Sequence, residues 1–308
     1  MYRLLIASRL SSGFKTISTS TVGQLPLFRM DKVRKASTTT STQHVHQASE
    51  NLTHKSKASI TDENCLTADP SSWHGSSLLS VNQIAPSGLS LLFDTTRSMR
   101  AVVHKFGGDN LLQHKLLAAV FYEGSTRTSF SFQAAMSRLG GAYLAFDGHD
   151  AGNTSASKKG ESLEDTIRSL ECYADATVLR HPTEGSVEQV VANATKPILN
   201  AGDGVGEHPT QALLDLFTIC DQLDIELNEP VEELVVVLLG DLKHGRTVHS
   251  LAKLLVRSMA DGTMLCKKLI LRYCSPESLQ MPKDVQEYVA DFPNVRQESL
   301  SDLNEATT

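Results

Sequence analysis

The sequence predicts an α/β fold made of two parallel-sheet domains, and three observations carry that reading. From about Leu79 onward, short apolar runs alternate with stretches of helical periodicity. The same rhythm restarts after the Glu226 to Glu229 stretch and Pro230. The length of 308 residues corresponds to roughly two domains of about 150 residues each. Repeated βα units imply parallel strands with helices on both faces of the sheet, because parallel neighbours need a crossover connection.

The first helix is expected to start at Pro86-Ser87, with Leu89, Leu91, Leu92 and Met99 near helical spacing through to Lys105, and to end at Gly107-Gly108. The first series of elements then reads strand 116–122, helix 127–139, strand 142–146, helix 162–174, strand 176–180, helix 187–194, strand 197–200 and helix 210–223. The second series reads strand 234–240, helix 247–260, strand 268–273 and helix 282–291. The domains run from 79 to 209 and from 210 to 308, joined near the 210–223 helix.

Residues 1–78 have a different composition. Ser37 to Thr42 is an unbroken Ser/Thr run, and no long apolar period appears. Such a stretch cannot bury enough apolar surface to offset its ordering entropy, so it reads as a mostly disordered leader or linker. Its first thirty residues carry Arg3, Arg9, Lys15 and Arg29 with no acid before Asp31, while Leu4, Leu5, Ile6, Leu10 and Phe14 are apolar. That composition suits an organelle transit peptide and makes a mitochondrial location the alternative to a cytoplasmic one. His44, His46 and His54 read as solvated linker residues, since nothing around them fixes a coordination geometry.

Composition excludes several functions. With 29 Lys+Arg against 35 Asp+Glu, the formal charge is −6, which removes the basis for a dedicated nucleic-acid binder. Five widely spaced cysteines without a C-x-x-C pair point to neither a disulfide framework nor a zinc site, so a reducing compartment and no metal are expected. No apolar run approaches the roughly 20 residues of a membrane span.

In sheets of this kind ligands bind beyond the carboxyl ends of the strands. The first strand runs into Glu123-Gly124-Ser125-Thr126-Arg127-Thr128 and then directly into a helix. One hydroxyl would suffice as an N-cap, whereas three hydroxyls, a guanidinium and a helix start form an anion cradle. The third strand ends in Arg180-His181-Pro182, a further fixed cation on the same rim. The fourth leads through Gly202, Gly204 and Gly206 to His208-Pro209-Thr210-Gln211, where His208 can donate to a carbonyl oxygen and Gln211 can donate and accept. Gly240-Asp241-Leu242-Lys243-His244-Gly245-Arg246 repeats the pattern in the second domain. No nucleophile with an adjacent base and no carboxylate pair stands out. The implied chemistry is positioning and charge stabilisation of an anionic, phosphate-bearing substrate, without a covalent intermediate.

Taken together, Ser125-Thr126-Arg127-Thr128, Arg180-His181-Pro182, His208-Pro209-Thr210-Gln211 and Gly240 to Ser250 resemble the aspartate carbamoyltransferase family over about residues 79–308. Phe121-Tyr122-Glu123, Gly202 to His208 and Lys243-His244-Gly245 look like the version found in the eukaryotic multifunctional pyrimidine-synthesis polyprotein, and Ser129 suits that branch. The resemblance implies transfer of the carbamoyl group from carbamoyl phosphate to the amine of L-aspartate in pyrimidine (UMP) biosynthesis, without metal or organic cofactor.

The resemblance also assigns roles. Ser125, Thr126, Arg127 and Thr128 would hold the phosphate; Thr128, Arg180 and His208 would polarise the carbamoyl oxygen; Gln211 would orient the carbamoyl NH₂; Arg246 would grip an aspartate carboxylate. The loop 147–160, with paired lysines, would by itself be solvated surface. Its Ser155 and Lys159 match a family loop that reaches the neighbouring subunit's site, which implies a homotrimer with shared sites. The ornithine-specific sibling is set aside by the Asp-Leu-Lys-x-Gly-Arg run at 241–246. The resemblance further implies a second domain truncated at its C-terminal side, with part of the aspartate site missing. A catalytically inactive carbamoyl phosphate-binding or regulatory subunit is the alternative reading.

Overall fold

A computed structural model describes residues 3–10, 13–20, 65–148, 160–227, 229–259, 265–302 and 305. The first sheet has four parallel strands: β3 (Leu116–Phe121), β4 (Ala142–Asp147), β5 (Ala176–His181) and β6 (Ile198–Asp203), in the order β4-β3-β5-β6. The apolar run of β3 is buried on both faces. Ala118 and Val120 pack with Ile167, Val187 and Val190, which lie on α3 (Leu163–Glu171) and α4 (Ser186–Val191). Leu117, Ala119 and Phe121 face Met136 of α2 (Thr126–Arg138). This two-sided burial is why β3 reads as a continuous apolar run rather than an alternating one. After β4 the chain crosses to the other side of β3 to form β5, so a topological switch lies between β3 and β5.

The second sheet contains three parallel strands: β7 (Val231–Leu239), β8 (Cys266–Cys274) and β9 (Val295–Leu300). An N-terminal hairpin of β1 (Arg3–Leu10) and β2 (Gly13–Ser20) extends it antiparallel to β7, giving the order β2-β1-β7-β8-β9. The largest core joins this sheet to α1 (Pro86–Phe106), α5 (Pro209–Leu223), α6 (Arg246–Arg257) and α7 (Lys283–Ala290). On α5, Ala212, Leu213, Leu216, Ile219, Cys220 and Leu223 form the buried stripe, a helical spacing that commits one face to this core.

Two expectations are corrected, and one strand is added to those read from the sequence. The reading of residues 1–78 as a mostly disordered leader or linker does not extend to the described residues at the two ends of the segment. Arg3–Leu10 pairs with β7 from Arg3 opposite Leu239 to Arg9 opposite Glu233, so the edge of a parallel sheet supplies hydrogen-bonding partners that bulk composition does not register. Leu66 and Leu78 are buried: Leu66 exchanges backbone hydrogen bonds with Gln83 and Ala85, and Leu78 with Ile198 and Asn200. The second sheet is therefore not purely parallel. The segment from Val295 to Leu300 forms β9, which carries mostly polar residues, is half-exposed, and lacks the apolar run that marks β7 and β8.

Candidate functional site

One cleft of about 980 Å³ lies between the carboxyl ends of the two sheets. Three helix starts face it. Ser125 to Thr128 open α2, His208 precedes α5, and Gly245 to Thr247 open α6. Ser125 occupies the N-cap of α2 without a side-chain capping hydrogen bond, and Gly245 caps α6 with no side chain at all. The N–H groups of these first turns and the positive ends of the helix dipoles remain directed at the cleft, which favours an anion.

Arg180, near the end of β5, and Arg246, at the start of α6, share one carboxylate. Glu123 Oε2 accepts from Arg180 Nε at 3.2 Å and from Arg246 Nη2 at 2.9 Å. Arg246 also donates to the Gly204 carbonyl. Burial opposes ionisation of Glu123, but the hydrogen bonds from Arg246 and Arg180 prevail and hold its carboxyl below the usual range. Arg180 is shifted downward as well, first by burial and then by the like charge of Arg246. Two guanidiniums on one shared carboxylate leave this three-residue cluster net positive, a charge that an anionic ligand would relieve. Gly202 holds the close approach: its φ is +114°, and a Cβ there would lie 3.1 Å from Arg246 Nε.

His208 is buried, 3% exposed. Burial, then the charges of Arg180 and Arg246, lower its pKa to about 3, so the imidazole is neutral at physiological pH. Thr210 Oγ1 lies 3.3 Å from His208 Nδ1. With the hydroxyl donating to Nδ1, the ring proton sits on Nε2 and is available to a carbonyl oxygen. The His208 backbone N–H donates to Ser250 Oγ at 3.2 Å, tying the start of α5 to α6.

Gln211 and Asp215 line the same cleft one helical turn apart on α5. Gln211 Nε2 donates to Asp215 Oδ1 at 3.0 Å. Burial pushes the Asp215 carboxyl up to about 6, against the lowering effect of that hydrogen bond.

The cleft thus brings together Ser125, Thr126, Arg127, Thr128, Arg180, His208, Gln211 and Arg246, all chosen from sequence. Ser155 and Lys159 lie outside the described residues. Three lining carboxylates, Glu123, Glu184 and Asp215, were not foreseen as parts of the site. Glu123 sits directly beside an anion cradle, where a negative charge reads as unfavourable until both arginines are placed around it. Asp215 could have been found from its i, i+4 spacing to Gln211.

A family model for the carbamoyl phosphate-binding domain of aspartate/ornithine carbamoyltransferases matches residues 76–221. A crystal structure of aspartate transcarbamoylase from Trypanosoma cruzi in complex with aspartate and phosphate is 39% identical, with a TM-score of 0.64 over 74% of this chain and 71% of that one. The chain belongs to the aspartate carbamoyltransferase family. Family members with similar sequences include the multifunctional protein pyr1-3 of Dictyostelium discoideum, 43% identical over 278 residues, which are 87% of this chain and 12% of that protein. The aspartate carbamoyltransferase catalytic subunit of Methanococcus vannielii is 41% identical over 69% of this chain and 65% of its own length. The chain therefore spans about an eighth of the multifunctional relative. No helix among the described residues is long and apolar enough to cross a membrane.

Proposed function

We propose that the cleft binds carbamoyl phosphate and then L-aspartate, and transfers the carbamoyl group to the aspartate amine as a step of pyrimidine synthesis. The observation that carries this reading is the convergence of the Ser125–Thr128 cradle, Arg180, His208, Gln211 and Arg246 on one cleft between the two sheets. Ser125, Thr126, Arg127 and Thr128 hold the phosphate on the α2 N-terminus. Thr128, Arg180 and neutral His208 donate to the carbamoyl oxygen, Gln211 accepts from the carbamoyl NH₂, and Arg246 binds an aspartate carboxylate.

Attack by the amine forms the C–N bond and places negative charge on the carbamoyl oxygen. The C–O bond to phosphate then breaks, the phosphate leaves with the electron pair, and it is the nearest base for the amine proton. Donors fixed at the developing oxyanion lower the barrier, and loss of one costs on the order of 10²–10³-fold in turnover. Ser155 and Lys159 are assigned to the site of a neighbouring subunit in a homotrimer. The exposed Phe130, Tyr143 and Leu144 on α2 and the edge strand β4 support a subunit contact on that side. The free cysteines support a reducing compartment, the cytoplasm.

The test is formation of carbamoyl-aspartate by the purified chain. Arg127→Ala and His208→Ala are each expected to lower turnover at least a hundred-fold with the fold retained, and unchanged rates would refute the assignment. Shared sites predict that Arg127→Ala and Lys159→Ala chains, each inactive alone, regain activity when co-assembled.

A further inference from the structure

We infer that Asp215 is a positioning residue that makes the site selective for a carbamoyl group by fixing which end of the Gln211 amide faces the ligand. The inference rests on the proposed function, because it concerns the group transferred there.

A glutamine amide has a donor end and an acceptor end of nearly equal size, and rotation exchanges them at little steric cost. In an otherwise unconstrained cleft Gln211 would present either end. Asp215 removes that freedom. It lies one turn further along α5 on the same cleft-lining face, and its Oδ1 takes the Gln211 Nε2 hydrogen bond at 3.0 Å. Burial raises the carboxyl to about 6, which still leaves it mainly ionised at neutral pH. An ionised carboxylate only accepts, so it binds the NH₂ end of the amide and rejects the carbonyl end. Gln211 Oε1 is then left as an acceptor for the cleft.

An oriented acceptor discriminates chemically. It receives a hydrogen bond from an NH₂ group and is stranded against a CH₃ group of similar size, and a site left with an unpaired polar group rejects the analogue that lacks the partner. Asp215 therefore separates a carbamoyl from an acetyl group without touching either. It also explains a half-buried acid that the carbamoyl-transfer chemistry does not otherwise use.

The test uses two phosphonates that differ only at this point, phosphonoacetamide and 2-oxopropylphosphonate, with inorganic phosphate as a third ligand. Isothermal titration on the full chain is expected to show tighter binding of the amide than of the methyl ketone, by on the order of ten-fold. In Asp215→Asn and Asp215→Ala this preference is expected to shrink to about two-fold, with phosphate affinity unchanged, because the Gln211 amide then turns freely. A structural role alone would weaken both phosphonates equally and leave their ratio intact. A wild-type preference retained in both variants, or no preference in the wild type, would overturn the inference while leaving the phosphate site standing. Failure of the wild type to bind any of the three would overturn the site reading itself and the inference with it.

Discussion

Three ionisable side chains dominate the site, and each shifts for a stated reason. Glu123 is shared by Arg180 and Arg246, so Glu123→Gln leaves two guanidiniums facing one another. Turnover is expected to fall on the order of ten- to a hundred-fold through lost positioning. Unfolding free energy should change by only about 1 kcal/mol, because the carboxylate is 39% exposed and solvent screens it. His208 and Asp215 pull stability in opposite directions with pH. The unfolded chain protonates His208 near 6.5 and the native one only near 3. Between those values the unfolded state holds more protons, so stability is complete above 6.5 and declines as the pH falls. His208→Gln should flatten that decline in urea titrations between pH 6.5 and 4. Asp215 is raised from 3.8 to about 6, so its contribution is complete at low pH and is lost as the pH rises through 6. Asp215→Asn is expected to stabilise the protein at pH 7 by about 1–3 kcal/mol, with a smaller gain at pH 4.

Among elements, α1 and the segment before it show how a tight backbone contact builds the core beneath the site. Gly88 lies against Leu66, and a Cβ there would sit 2.1 Å from the Leu66 carbonyl oxygen and 2.9 Å from its carbonyl carbon. Those are backbone atoms held by hydrogen bonds to Gln83 and Ala85, so they cannot move aside cheaply. Gly88→Ala is expected to cost about 1–3 kcal/mol through overpacking, measured as a lower denaturant midpoint. Glu207 secures the same region to the site: its carboxylate accepts from Ser80 Oγ at 2.7 Å and from the Val81 N–H at 3.0 Å. The chain entering α1 is thereby fixed one residue from His208.

At the scale of the molecule, the two sheets place their helix N-termini on opposite walls of one cleft, and the N-terminal hairpin closes the free edge of β7. Removal of residues 1–22 would leave the β7 edge opposite β8 unpaired, and exposed edges recruit other strands. The shortened chain is expected to unfold at lower denaturant and to self-associate, which sedimentation velocity would reveal. Equal stability and an unchanged sedimentation coefficient would count against a role for the hairpin in the sheet.

The sequence by itself determined the alternating α/β plan, helix starts within one residue of the observed Thr126, Pro209 and Arg246, and eight residues that line the cleft: three cations, three hydroxyls, one amide and one imidazole. These are local signals, since strand, turn and helix N-terminus are contiguous in the chain and the ligand-binding groups sit at that junction. Only the tertiary structure decided the rest. Glu123 joins arginines 57 and 123 residues away, a pairing no spacing rule reaches. Asp215 sits in an ordinary amphipathic helix, and its relation to the cleft depends on which face the core takes. The pairing of Arg3–Leu10 with β7 required an edge supplied by residues more than 200 positions away, because strand partners, unlike helical ones, are chosen by the fold and not by neighbours in sequence.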